Sequence, residues 1–257
     1  MARRINLNAD LGESWGAYSI GDDAALLDVV KTANIACGLH GGDATVMRET
    51  IAAAARRGVS IGAHPGFNDL WGFGRRDIRM AARDIENLVA YQIGAMLGMA
   101  AAAGARVTHM KAHGALNTMA CDDAEYAAAI TRGLKATAPD LIHLVMPGTE
   151  LDAATEAAGL PLAREAFVDR TYEANGRLTP RRIEGAVIRD PAAAAARAVE
   201  MVETGALTAR TGETVRLPFE SLCVHGDEPT AVAAARATRD GLAAAGVDLV
   251  TLPEMLA

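Results

Sequence analysis

Residues 34–43 read NIACGLHGGD: a short apolar run, then a histidine set among three glycines, then an aspartate. An apolar run of this length suits a buried strand, and glycines allow the tight turns that let a backbone approach closely. An ionisable ring at such a strand-to-helix turn asks for an explanation. The same grammar recurs along the chain. Of the six histidines, four follow an apolar run and precede Gly or Pro: His40 in GLHGGD, His64 in GAHPGF, His113 in KAHGAL and His225 in CVHGDE.

Working outward, strand-like and helical runs alternate from end to end. INLNAD (5–10), NIACGL (34–39), VSIGAH (59–64), RVTHMKAH (106–113), LIHLVMP (141–147), LAREAFVDR (162–170), SLCVHG (221–226) and DLVTL (248–252) read as strands. Between them, helices are predicted over about 44–57, about 81–103, to about Thr137, through TELDAATEAAG, after Asp190-Pro191 and up to Gly246. The third is announced by Asp122 with Glu125 three residues on, a capping-box pattern, and Pro191 suits a first helical position. Repeated β-α units with short connections imply parallel strands covered by helices. Seven or eight units in 257 residues favour one α/β domain over 1–257, a distorted TIM-like barrel of seven or so parallel strands. An open doubly wound sheet is the alternative.

Composition narrows the function classes. Half the residues (51%) are apolar but only 4% are aromatic, so the core must come from Ala, Val, Leu, Ile and Met. A net charge of −7 argues against a nucleic-acid surface and for a soluble cytoplasmic protein. Three cysteines with no paired spacing suit a reducing compartment. The start, MARRINLNADLGE, lacks the apolar segment of a signal peptide, and IGAMLGMAAAAGA (93–105) is too short to span a membrane. No P-loop and no Rossmann fingerprint is present.

In parallel α/β folds, functional groups collect after the C-terminal ends of strands. Asp10 and Glu13 follow the first strand, His40 and Asp43 the second, and His64 the third. Lys111 and His113 end the fourth, Glu165, Asp169 and Arg170 the sixth, and His225 and Asp227 the seventh. Asp43 and Asp227 stand just before helices and read equally as N-caps. His109 and His143 are mid-strand and read as structural, and Cys37 and Cys223 as small core groups. Arg75 and Arg76, in the Gly-rich GFGRRD, suit an anionic substrate or simple solvation. Asp10, His40 and His64 match a two-His-one-carboxylate set for a hydrolytic divalent metal. Without metal, these residues and His113, His225, Glu13, Asp169 and Asp227 suit acid/base work, and Lys111 can stabilise an oxyanion or phosphoryl group.

LNADLGE (7–13), ANIACGLHGGD (33–43), GAHPGF (62–67), GFGRR (72–76), YQIGA (91–95), KAHGAL (111–116), REAFVDRTY (164–172) and CVHGD (223–227) together resemble the LamB/YcsF family, the A subunits of 5-oxoprolinase. The resemblance implies a distorted barrel related to the polysaccharide-deacetylase and glycosidase group. It also implies ATP-dependent opening of a lactam, 5-oxo-L-proline, to L-glutamate, carried out with partner subunits B and C. By analogy with deacetylases, it implies a divalent metal (Mg or Zn-like) on Asp10, His40 and His64. Anion or phosphate contacts fall to Arg75, Arg76 and Arg170. No membrane or nucleic-acid partner is implied, and a homo-oligomer is compatible. The alternatives are a stand-alone metal-dependent amidase or deacetylase, or a non-catalytic carboxylate-binding protein. Four positions depart from the family pattern: Ala112 replaces Pro, Asn117-Thr118 replaces Tyr-Asn, and Thr171 replaces Gly.

Overall fold

A computed structural model describes residues 3–227 and 229–257. Its first half runs β1 (Arg3–Leu11), α1 (Asp23–Leu27), β2 (Thr32–Ala36), α2 (Ala44–Arg56), β3 (Ser60–His64), α3 (Ala82–Ala102), β4 (Val107–Met110), α4 (Gly114–Asp122) and α5 (Ala124–Thr137). There follow β5 (Ile142–Val145), α6 (Glu150–Ala157), β6 (Leu162–Phe167), α7 (Pro191–Thr204) and a small hairpin, β7 (Leu207–Thr208) with β8 (Thr214–Val215). The chain ends with β9 (Ser221–Val224), α8 (Ala231–Ala244), β10 (Val247–Val250) and α9 (Leu252–Met255).

Seven parallel strands close into a barrel in the order β1-β2-β3-β4-β5-β6-β9, and β9 returns to β1. Residue Asn6 is opposite Ser221 of β9 on one edge and Val250 of β10 on the other. Strand β10 therefore occupies the lower part of the β1 edge whose upper part, Asn8–Leu11, pairs with β2. The barrel expectation holds, and the open sheet is excluded by closure.

The alternation in INLNAD explains the unusual interior. Ile5, Leu7, Ala9 and Leu11 pack in the apolar core, and Asn6, Asn8 and Asp10 are buried among polar partners. Side chains stack inside the barrel in levels, as alternate strands require. At the base, Asn6 donates to Thr32 Oγ1 and accepts from Ser221 Oγ. One level up, Asn8 Nδ2 donates to Ser221 Oγ, and Asn34 Nδ2 donates to Asn8 Oδ1. His109 Nε2 meets Asn34 Oδ1 at 3.0 Å, and His143 Nδ1 meets Thr155 Oγ1 at 2.8 Å, so both are hydrogen-bonded residues away from the mouth. Burial of such groups is tolerated because nearly all their polar atoms are paired.

The helices use the Ala-rich faces, with α7 packed on α8 and α3 on α5. Fully buried Leu and Ile side chains such as Leu7, Ile35, Ile51 and Ile93 each stabilise the fold by about 1.5–3 kcal/mol. Asp43 caps α2, accepting from Thr45 N and Val46 N. The helix expected from Asp122 to about Thr137 is α5, capped by Asp123 rather than Asp122, and an additional helix, α4, precedes it. Asp227 is not the N-cap of α8, a position held by Thr230. Among the described residues, no helix is long and apolar enough to cross a membrane.

Candidate active site

The strand ends place three of the four turn histidines in contact. Strand β2 stops at Ala36, so Cys37 to Gly42 form a turn with Gly38 and Gly42 at positive φ. At Gly42 a Cβ would stand 2.7 Å from the Gly12 carbonyl, which answers why this turn needs glycine. The turn drives His40, fully buried, under the loop that carries Gly66 and Gly74. His64 ends β3 and His113 precedes α4.

The three rings pack tightly. His40 stacks on His113 with centroids 3.6 Å apart, and His64 stands edge-on to both. His113 Nδ1 is 3.0 Å from His64 Nε2, and Glu13 Oε1 lies 3.3 Å from His40 Nε2 and 3.5 Å from His113 Nδ1. Each outer nitrogen of the T-shaped pair meets a backbone carbonyl: His64 Nδ1 that of Lys111, and His113 Nε2 that of Phe73, both at 2.8 Å. Phe73 is the one described non-glycine residue with positive φ. Burial pushes the His40 and His113 pKa values well down and that of Glu13 well up, the last assisted by Asp10.

Lys111 is the hub of a second cluster. Its Nζ lies 2.9 Å from Asp10 Oδ1, 3.1 Å from Glu165 Oε2 and 3.2 Å from Cys223 Sγ. Three acceptors match the three protons of an ammonium, so Lys111 holds the carboxylates and has none left for a substrate oxygen. Burial opposes charge on both Asp10 and Lys111. Contacts to His64 and the Lys111 ammonium nonetheless hold Asp10 well below the carboxylate range, and the Asp10 and Glu165 carboxylates hold Lys111 well above its usual value. Burial raises Glu165. Cys37 is pushed up to about 12 by burial, and Cys223 well up, so neither thiol is poised as a nucleophile.

Across the mouth, His225 Nδ1 lies 2.9 Å from Asp169 Oδ2, which also accepts from the His225 backbone N–H. Burial resists ionisation of Asp169, but His225 outweighs it and lowers the carboxyl pKa. Arg75 Nη1 pairs with Asp227 Oδ2 at 2.8 Å and its guanidinium lies over Phe73. Arg170 donates to the Ala186 and Thr179 carbonyls, and burial with Arg181 nearby lowers its pKa to about 10. Arg76 ion-pairs with Asp69, and is not among the cavity-lining residues. It fastens its loop instead of facing an anion.

A cavity of about 550 Å3 opens between these groups, lined among others by Asp10, His64, Lys111, His113, Arg75, Arg170 and His225. Ala112, Asn117 and Thr118 also line it, so every departure from the family pattern except Thr171 falls on the cavity wall. Thr171 instead donates to the Gly185 carbonyl. Asn8 and Asn34, which hold Asp10 and its neighbours, are not among the residues the sequence singles out. Their signal is the polar positions at every second residue of an otherwise apolar strand.

The donor set expected for a metal is changed by this geometry. Asp10 Oδ1 is engaged by Lys111 and Asn34, and Asp10 Oδ2 is 3.4 Å from His64 Nε2. The group whose ligand atoms all lie within 4.8 Å of one another is Glu13, His40, His64 and His113.

Fold and site define a closed β/α-barrel protein with a buried histidine–carboxylate centre at the C-terminal mouth. The chain belongs to the LamB/YcsF family, whose profile matches residues 5–257. A relative from Rhodopseudomonas palustris (strain BisB18), which carries the name of the A subunit of 5-oxoprolinase, is 52% identical over 244 residues, covering 95% of this chain and 96% of that one. The crystal structure of a lactam utilization protein from Thermus thermophilus matches with a TM-score of 0.92 at 42% identity, covering 97% of this chain and 100% of that chain. The catalytic domain of a peptidoglycan N-acetylglucosamine deacetylase from Eubacterium rectale ATCC 33656 shares the fold, with a TM-score of 0.53 at 14% identity over 98% of this chain and 89% of that chain.

Proposed function

We propose that this chain is the A subunit of a cytoplasmic, ATP-dependent 5-oxoprolinase that opens 5-oxo-L-proline to L-glutamate together with subunits B and C. The observation that carries the proposal is one cavity bordered by the Asp169–His225 pair, the Lys111–Asp10 cluster and two arginines. The names of the relatives point the same way.

A lactam is an unreactive amide, and phosphorylation changes that. The γ-phosphoryl group of ATP passes to the carbonyl oxygen and ADP leaves. Water then attacks the activated carbon, the ring C–N bond breaks with proton transfer to nitrogen, and a second water releases phosphate from the acyl phosphate. His225 suits the proton transfers: with Nδ1 held by Asp169, Nε2 is the nitrogen that remains for exchange with substrate. Arg75 and Arg170 supply positive charge for the substrate carboxylate or phosphoryl oxygens. Lys111 acts one step back, fixing Asp10 and Glu165.

The test is turnover of 5-oxoproline with ATP and magnesium by the purified chain, alone and with subunits B and C. Glutamate and ADP formed only by the complete mixture support the proposal. Amide hydrolysis by the lone chain without ATP overturns it.

A further inference from the structure

The hydrogen bonds around His64 and His113 fix where their protons sit. A backbone carbonyl only accepts, so each neutral ring carries its proton on the outer nitrogen, His64 Nδ1 and His113 Nε2. The inner nitrogens, His64 Nε2 and His113 Nδ1, are then two lone pairs facing each other at 3.0 Å. Lone pairs at that distance repel unless a positive group is shared between them. Glu13 adds a carboxylate oxygen 3.5 Å from the same His113 nitrogen. His40 adds an imidazole whose Nδ1 is buried with no partner.

We propose that Glu13, His64 and His113, joined by His40, hold one divalent cation of the zinc class. Zinc bonds of roughly 2.0–2.1 Å place the donors of a tetrahedral site about 3.3 Å apart. His64 Nε2 and His113 Nδ1 stand 3.0 Å apart, and Glu13 Oε1 lies 3.5 Å from His113 Nδ1, before any ion draws them together. Three imidazoles and one carboxylate are donors for zinc, not for magnesium, which takes oxygen ligands. The carbonyls of Lys111 and Phe73 are the outer partners that orient metal-binding imidazoles. His40 must turn to join: its plane lies 4° from that of His113 at 3.6 Å, so one in-plane ion reaches only one of the two as they lie. Turning gives up the 3.3 Å contact with Glu13 and the stacking on His113, but breaks no hydrogen bond at Nδ1, which is unpaired. Asp10 is outside the set: Lys111 and Asn34 engage its Oδ1, and its Oδ2, though 3.4 Å from His64 Nε2, does not join the four donors that all lie within 4.8 Å of one another. Since His64 and His113 also line the cavity, an ion on them would polarise an oxygen of a bound substrate.

A single proton shared by His64 and His113 is the competing occupant, and cobalt separates the two. The chelator-treated full chain is titrated with Co2+, without substrate, ATP or partner subunits, and metal content and visible absorption are read. One equivalent bound with the intense d–d bands of a tetrahedral ion, displaced by Zn2+, is expected. Glu13→Gln and His113→Gln should each weaken binding at least tenfold, with folding checked by circular dichroism, whereas Asp10→Asn keeps one equivalent. No stoichiometric cobalt, or cobalt lost in Asp10→Asn but kept in His113→Gln, overturns the proposal. Because no lactam or ATP is involved, either outcome leaves the lactam proposal to its own assay.

Discussion

The Lys111 ammonium lies 2.9 Å from Asp10 Oδ1, and both side chains are almost wholly buried. Neither charge is tolerable there without the other, since removal of one partner strands the rest in a low-dielectric interior. Lys111→Met leaves Asp10 and Glu165 facing each other without a cation. The variant should lose about 3–5 kcal/mol of stability, measured by urea unfolding. A loss below about 1 kcal/mol would mean the carboxylates take up protons or water at little cost.

The Asp169–His225 contact makes a kinetic prediction. Asp169 orients the imidazole and fixes the proton on Nδ1, so Asp169→Asn should leave substrate binding in place and disturb proton transfer. In the assembled enzyme, kcat should fall by about 10²–10⁴-fold with little change in KM. A rise in KM with kcat intact would make Asp169 a binding residue.

How far the site was legible follows from where each residue sits. The His-Gly and His-Pro turns announced themselves because a titratable ring at a strand end is chemically conspicuous, and His40, His64 and His113 do meet. Pairings across the barrel were not legible. Nothing local in KAHGAL says that Lys111 spends its protons on Asp10, Glu165 and Cys223, residues contributed by three other strands. Likewise Arg75 and Arg76 are neighbours in sequence with opposite fates, one paired to Asp227 at the cavity and the other to Asp69 away from it. In the fold, strand periodicity carried the barrel, but α4 was hidden because Gly114 and Asn117 are poor helix formers held there by tertiary contacts.

His143 offers a test of burial that is independent of the mouth. Burial pushes its pKa down to about 3, below the value of about 6.5 expected in an unfolded chain. Between these two pH values the unfolded chain binds a proton that the folded chain refuses. Its stabilising contribution is therefore complete above about pH 6.5 and is lost as pH falls toward about 3. The expected slope is about 1.4 kcal/mol per pH unit for this one group. His143→Leu should remove that share of the slope in urea unfolding between pH 7 and pH 5, and an unchanged slope would show that the ring is already accessible to protons.

Arg75 links the glycine-rich loop to the strand-nine turn through Asp227 and borders the cavity. Its side chain is 29% exposed, so the pair itself adds at most about 1 kcal/mol to stability. Arg75→Ala should therefore unfold within a degree or two of the parent, yet lose affinity for an anionic substrate. We expect a 10- to 100-fold lower kcat/KM, about 1.4–2.7 kcal/mol of lost transition-state stabilisation, expressed mainly in KM. Arg75→Lys keeps the charge without the planar fork, and partial recovery is expected. Asp227→Asn separates the two roles of the guanidinium. If Arg75 serves only to pair with Asp227, the two variants will lose activity equally; if it also contacts substrate, Arg75→Ala will lose more.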